Sequence, residues 1–534
     1  MEEHHSNNIR SIDLSETIAK RWHWQVNVRF NPELSQYYVD CDRSHLVDLC
    51  RWLFYEMEYG FASMVVEEAA DAWLCRYIFY SGSSGEQVHL CLRLSYPENT
   101  LPSISQIFHA ADWHEREARD LFGLDFVGHP RLTNFVLHEE WPEGVNPLRK
   151  DFDGSRPYPH RRDDPSWRPA RVVQAPGVFM MPIGPVFSDT AESALFLLES
   201  VGEDVIRTTP RFFYKFRGVE KIAEGRPVDQ ALLLAERFSG TMAFAHSLAF
   251  CQAVEAICQI AVPQRAKALR VIFAELERFR HHLAAITGIC NSTALAVATS
   301  QAGILEEEAL RLSCTLTGHR YLFGLNRPGG VTLDLDKKQC ALLGHSLQVL
   351  FGNLERLYNL LRYSSSFLDR LEEVGMVPRE SARSYGLVGP VARASGIAWD
   401  LRQALPYAAY AEVPLEVPKE EEGDGYARLR VLFREAEQSV KIISGLIPSP
   451  PEGEVAASGP VINPGAALGW AEAPCGAAFH WVRIDEKGVV ARYHLTTPSF
   501  NNWHGFHLAA EDFAFQDFPI IMATFGLSNA ECDR

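Results

Sequence analysis

The chain has 534 residues, 47% of them hydrophobic and 22% charged, with 36 Gly and 30 Pro spread along its length. At about 150 residues per unit this predicts two to four globular units and excludes a single small module, a collagen-like chain or wholesale disorder. Acidic residues outnumber basic ones, 68 to 51, for a net charge of −17, so the chain as a whole is not built to bind nucleic acid.

The first eight residues, MEEHHSNN, lack the basic and apolar regions of a secretory signal, and a cytoplasmic location is expected. Residues 44–58 carry a helical pattern. Val88, Leu90, Leu92 and Leu94 then alternate with His89, Cys91 and Arg93, as a half-buried strand requires, and the Gly-Ser turn at 82–85 makes that strand one arm of a hairpin. Glu115 and Arg119, like Arg116 and Asp120, lie four apart, which predicts a charged helix face laced by weak ion pairs. Residues 153–175 are dense in Pro, Arg and Asp without apolar period and are expected to be an interdomain linker.

Beyond it the chain is expected to be mostly helical. The most apolar segment, 239–262, carries His246, Gln252, Glu255 and Gln259, which predicts a buried helix and no membrane span. Two stripes, Leu269, Ile272, Leu276, Phe279 and Leu283, then Leu343, Leu347, Leu350, Leu354, Leu357 and Leu361, repeat at alternating three and four and predict packed bundle helices. Pro263 is placed to start the first and Gly375 to stop the second. The acidic run at 420–422 predicts a solvated loop, and an irregular stretch at 449–469 precedes a short C-terminal part with strand-like runs. Eleven cysteines include no Cys-x-x-Cys pair and are expected to be reduced.

The segment HEREARDLFGLDFVGHPRLTNFVLHEEWPEGVNPLRKDF, 114–152, resembles the signature of the C-type subunit of respiratory NADH-quinone oxidoreductase, complex I. Downstream, RGVEK at 217–221, AFAHSLAFCQAVE around His246, ELERFRHHL at 275–283, Arg320, RPGGV at 327–331, the run 389–410 and EAPCG at 472–476 are similar to the D-type subunit of that complex. They are equally similar to the large subunit of energy-converting nickel–iron hydrogenases of the formate hydrogenlyase and hydrogenase-4 type. The resemblance implies an α+β chain: an N-terminal α/β domain like the complex I C-type subunit at 1–152, the linker at 153–175, and at 176–534 a mainly helical domain like the hydrogenase large subunit with short β segments.

The hydrogenase relatives hold nickel and iron with two Cys-x-x-Cys pairs, because soft thiolates bind and tune both metals. Aligned on Ala-His-Ser at 245–247, the first pair falls on Ser239 and Met242; aligned on Asp-Phe-Pro at 517–519, the second falls on Ser528 and Glu531. Cys475 stands where the relatives usually keep an arginine beside the metals, and a shift of register would bring Cys532 to the place of Glu531. The complex I relatives reduce quinone beside a His and a Tyr, whose places hold Phe187 and Phe238; neither can donate a proton.

Arg217, Glu220, His246, His282, Arg320 and Glu531 remain as polar residues that the resemblance brings to one cavity, with Phe187, Phe238 and Cys475 in its lining. Glu220, Arg217 and His246 are the candidate proton relay, Glu220 with a raised pKa; the other reading pairs Glu220 with Arg217 or Arg320 for structure alone. The resemblance thus implies a peripheral-arm subunit on the cytoplasmic face of the inner membrane, with no metal or cofactor of its own. Its partners would be an iron–sulfur small subunit and a ferredoxin-like subunit carrying 4Fe-4S clusters, together with membrane subunits; a quinone is the candidate diffusible substrate. A non-redox scaffold is the alternative, and an active nickel–iron hydrogenase is the reading that the missing thiolates oppose.

Overall fold

A computed structural model describes residues 14–22, 26–158, 171–187, 192–459 and 461–534. The N-terminal third forms a five-stranded mixed sheet. Its order from one edge is Asn27–Asn31, Gln36–Asp40, Gln87–Ser95, Ala72–Tyr80 and Gly60–Glu68, and the second and third strands are parallel. The hairpin expected around 82–85 joins Ala72–Tyr80 to Gln87–Ser95. The helix expected over 44–58 runs as Arg43–Arg51 and continues through a wider turn, Trp52–Glu56.

Both faces of this sheet are covered. Phe61 and Met64 pack toward the helical side with Phe54 and Phe108, whereas Ser63, Val65 and Glu67 face the C-terminal part of the chain. The half-buried reading of the 88–94 strand holds at Cys91, half-buried, and Arg93, exposed, and is corrected at His89, which the second cover buries fully, pushing its imidazole down to about 3. Gly82 lies against Trp399, where an added Cβ would come within 2.1 Å of the indole, so the hairpin tip accepts no side chain.

The C-terminal cover is an antiparallel sheet of Gly465–Ala473, Gly476–Ile484 and Val490–Thr496. Alternation sends Trp481, Arg483, Arg492 and His494 toward the N-terminal sheet, and His480, Val482, Tyr493 and Leu495 toward the helix Ala243–Cys258. At Gly469 the helix approaches so closely that a Cβ would stand 2.0 Å from the Ala249 carbonyl oxygen.

Behind this helix lies a bundle of Gln264–Ser292, Ala296–Thr317, Lys337–Arg362 and Gly425–Leu446. Pro263 caps the first of these, and every member of the two predicted leucine-rich stripes is buried. Each such side chain contributes about 1.5–3 kcal/mol by leaving water. The stop at Gly375 is corrected. The helix ends at Arg362, where Ser364 opens a separate short turn, and Gly375 instead lies in a loop against Arg428 and Ile521. A further sheet, in the order Phe513–Ala514, Asp204–Arg211, Leu195–Val201 and Phe179–Ile183, packs on the helix Pro498–Ala509 through Phe196, Phe212 and Trp503.

Residues 153–158 and 171–175 of the expected linker contain neither helix nor strand; the rest of it, 159–170, lies outside the described residues, as does the N-terminal MEEHHSNN. The parts on either side share their interior. One apolar cluster joins Val65 and Ile78 to the bundle, and another joins the N-terminal helices to Phe500 and Trp503. No helix among the described residues is long and apolar enough to cross a membrane.

Candidate functional site

His246 lies on the first turn of Ala243–Cys258, a helix whose leading N–H groups from Phe244 and Ala245 are capped by Glu277 at 2.8 and 2.9 Å. Burial pushes the Glu277 carboxyl up to about 7 against the lowering effect of those two donors. The His246 ring is fully buried and joined at both ends: Nε2 is 2.8 Å from Glu531 Oε1, and Nδ1 is 3.0 Å from His480 Nε2. His480 Nδ1 in turn lies 2.9 Å from the Tyr493 hydroxyl. Glu531, His246, His480 and Tyr493 thus form a continuous hydrogen-bonded file within the interior.

Donor chemistry fixes how such a file is ordered. Burial drives His480 well below its usual range and the Tyr493 phenol well above, so His480 is neutral and Tyr493 keeps its proton. With Glu531 ionised, Tyr493 donates to His480 Nδ1, His480 Nε2–H to His246 Nδ1, and His246 Nε2–H to Glu531. Protonating Glu531 reverses every bond. The file therefore has two self-consistent polarities; moving one proton along each link delivers a proton to Glu531 and is complete only when Tyr493 takes up a replacement proton from outside the file.

The four positions aligned with metal-binding cysteines surround one end of this file. Ser239 Oγ donates to Glu531 Oε1 at 3.3 Å, and Ser499 N–H donates to Oε2 at 3.1 Å. Ser528 N–H donates to Ser499 Oγ at 3.2 Å, while the Ser528 hydroxyl turns to Glu192 at 3.1 Å. Met242 is fully buried one turn before His246, and its carbonyl accepts the His246 N–H at 3.2 Å. Phe238 stacks near the imidazole, ring centres 4.6 Å apart. Cys475 forms the tip of the 473–476 hairpin, where its thiol donates to the Gly526 carbonyl at 3.1 Å and lies 3.5 Å from His281 Nε2; burial holds it well above the usual thiol range. Cys532 is buried and free. No three His, Cys, Asp or Glu side chains gather as a metal-holding group among the described residues.

The other expected members lie elsewhere. Glu220 is buried between the two halves. Its carboxylate is 2.8 Å from Arg492 Nη2, 3.0 Å from His494 Nδ1 and 3.6 Å from Arg534 Nε, and it accepts the Leu495 N–H at 3.2 Å. Burial alone would raise this carboxyl, but His494, Arg492 and Arg534 overcome it and hold it well below the usual carboxylate range. Both expectations for this residue are corrected: the pKa is not raised, and the partners are neither Arg217 nor Arg320. Arg217 clamps the C-terminal turn, donating to the carbonyls of Asp533 at 2.9 Å and Ala530 at 2.5 Å. Arg320 is exposed and bidentate with Glu307 at 3.2 and 2.5 Å. Phe187 packs beside Gly184, on the edge of the cluster that holds Phe500 and Trp503.

His282 belongs to a separate ionic knot. It lies 2.9 Å from Glu435, which Arg393 also meets at 2.7 Å; Arg393 continues to Glu472 at 2.9 Å and Asp400 at 3.2 Å, and Arg402 ties Asp400 at 2.7 Å to Glu275 at 2.9 Å. The helix face at 114–120 is corrected as well. Glu115 is buried and accepts from Ser103 Oγ at 2.5 Å and Ile104 N–H at 2.7 Å, Asp120 accepts from Phe135 and Leu137 N–H, and Glu117 pairs with Arg534 at 2.6 Å. These carboxylates organise neighbouring backbone rather than solvated pairs.

By similarity to known proteins this arrangement, a three-stranded sheet pressed on a histidine-bearing helix and joined to a mixed α/β unit, falls in the class of complex I-like and hydrogenase-related oxidoreductase subunits. Residues 39–158 match the family of the 30 kDa subunit of respiratory-chain NADH dehydrogenase, 303–463 and 454–534 that of its 49 kDa subunit, and 217–285 that of nickel-dependent hydrogenases. Formate hydrogenlyase subunit 5 of Escherichia coli (strain K12) is 30% identical over 499 residues, 92% of this chain and 88% of that protein. Hydrogenase-4 component G of the same strain is 28% identical over 496 residues, 92% and 86% of the two chains. The fused C/D subunit of NADH-quinone oxidoreductase from Acinetobacter baumannii (strain AYE) is 28% identical over 507 residues, 86% and 84%. The chain belongs to the family that unites these fused subunits, in an α+β fold with the 30 kDa-like part first and the 49 kDa-like part second.

Proposed function

We propose that the chain is a peripheral-arm subunit of a membrane-associated complex I-like or energy-converting-hydrogenase-related oxidoreductase, seated on the cytoplasmic face of the inner membrane. In this reading it carries no nickel–iron centre. It couples electron arrival at a partner iron–sulfur subunit, with 4Fe-4S clusters in the small and ferredoxin-like subunits, to membrane partners. The single observation that carries the reading is the donor set at the four positions aligned with metal-binding cysteines: the hydroxyls of Ser239 and Ser528, the thioether of Met242 and the carboxylate of Glu531, both of whose oxygens already accept protein hydrogen bonds. Such donors do not fit a centre that needs four thiolates. The element that would hold a proton is the Glu531–His246–His480–Tyr493 file, in place of Glu220. A quinone reduced beside His246 would draw its protons from that file, because Phe238, the aromatic ring packed on the imidazole, supplies none.

The test is isolation of the tagged full chain with its complex from native membranes. Iron-bearing partner subunits are expected, with nickel far below one equivalent per chain; nickel at one equivalent overturns the reading. A scaffold without redox role is the second reading, favoured by the ion-locked state of Glu220. His480→Phe separates the two, since it cuts the file: a complex that assembles but loses turnover supports coupling, and unchanged turnover supports the scaffold.

A further inference from the structure

A cleft of about 700 Å³ opens between the helix Ala111–Phe122, the strand Asp204–Arg211 and the helix Pro498–Ala509, and it shares no residue with the file around His246. Five arginines line it, Arg116, Arg119, Arg131, Arg207 and Arg211, in a chain whose net charge is −17. Two of the three carboxylates in its wall, Glu199 and Glu139, are already committed, and the third, Asp112, lies beside two histidines with its Oδ1 making no hydrogen bond among the described residues. Glu199 accepts the Val172 and Val173 N–H groups at 2.6 and 3.1 Å, Glu139 pairs with Arg211, and Asp112 faces His129 at 3.2 Å and His504 at 3.6 Å. The wall also presents polar atoms that lack a hydrogen-bond partner among the described residues: Oγ1 of Thr208, which is 1% exposed, Arg116 Nε and Arg207 Nε.

Buried donors without acceptors are costly, and several lining one open space are satisfied by an anion. Guanidinium groups are suited to the planar, bidentate oxygens of carboxylate and phosphate. Trp113 and Phe212 add apolar rings to the same wall, and the volume lies within the range of small-molecule sites. We propose that this cleft binds a compact organic polyanion, bearing phosphate or carboxylate groups and about the size of a nucleotide. The site does not depend on the function proposed for the His246 file. Being assembled from both halves of the chain, it would couple ligand occupancy to their contact.

The test is titration of the full chain with pyrophosphate, ADP and citrate, read by Trp fluorescence and by calorimetry. Saturable binding that weakens with salt is expected, and the ranking of the three distinguishes a phosphate from a carboxylate ligand. Arg207→Gln should weaken it by about tenfold or more, Arg131→Gln, at an exposed position, should weaken it without disturbing the fold, and Arg356→Gln, on a distant helix, should leave it unchanged. Absence of saturation with all three anions overturns the proposal, as does undiminished binding by Arg131→Gln and Arg207→Gln proteins of native melting temperature.

Discussion

The ionic knot around Arg393 and the file around His246 are both buried and both polar, yet they are built on opposite principles. In the knot every carboxylate faces a guanidinium. Burial alone would raise the Glu435 carboxyl, but Arg393 above all holds it well below the usual carboxylate range. Glu472 is the exception, since burial and the neighbouring Asp400 carboxylate push it up to about 7 against Arg393 and Arg278. The file contains no guanidinium at hydrogen-bond distance, only groups that can each donate or accept, so it orders without being locked. Formal charge on guanidinium groups therefore marks where this molecule is held together, and the reversible hydrogen bonds of the file are the element on which the proposed function rests.

The sharpest way to break that contrast is Arg393→Met, which takes from Glu472 its guanidinium partner and from Glu435 and Asp400 one partner each. A loss of about 4 kcal/mol or more is expected, seen as failure to yield soluble protein or as a collapsed denaturation midpoint. Glu220→Gln strands Arg492 beside the interface of the halves and should cost about 3 kcal/mol in chemical denaturation; a neutral result would return Glu220 to the list of mobile protons.

Glu277 supplies a pH signature. Its folded pKa of about 7 lies above the ordinary value of 4.5, so the folded chain binds a proton that the unfolded chain has released. The contribution is greatest below pH 4.5, declines as pH rises and is flat above about 7. Between pH 5.5 and 7 this one group should lower stability by about 2 kcal/mol, and Glu277→Gln should make that part of the curve shallower by that amount, the remaining slope coming from other groups, among them Glu115 and Glu472, which are likewise pushed up to about 7. The smallest effect belongs to Arg320→Ala: its pair with Glu307 is solvent-exposed, and the melting temperature should not move.

The elements legible in the sequence were those whose reasons are local. The stripes at 269–283 and 343–361 obey one period and one burial rule, and the hairpin at 82–85 is written in its glycines. The cavity was legible in part, since Ser239, His246 and Glu531 do meet. His480, Tyr493, Arg492 and His494 were missed because their partners stand far away along the chain: His246 and His480 are separated by 234 positions. The signal available was a run of polar residues, Arg492 to Thr496, at strand spacing within an otherwise apolar region. Glu220 was misread for a related reason: motif proximity suggested Arg217, whereas a strand that returns from the far end of the chain supplies the guanidinium.

The strand Gly476–Ile484 faces two ways in strict alternation, His480 toward the helix that carries His246 and Trp481 toward Glu67 of the N-terminal sheet. Chimeras that exchange the leading third of this protein for that of a relative will cut through a shared wall, and they should fold only when the odd-numbered residues of that strand travel with the transplanted part.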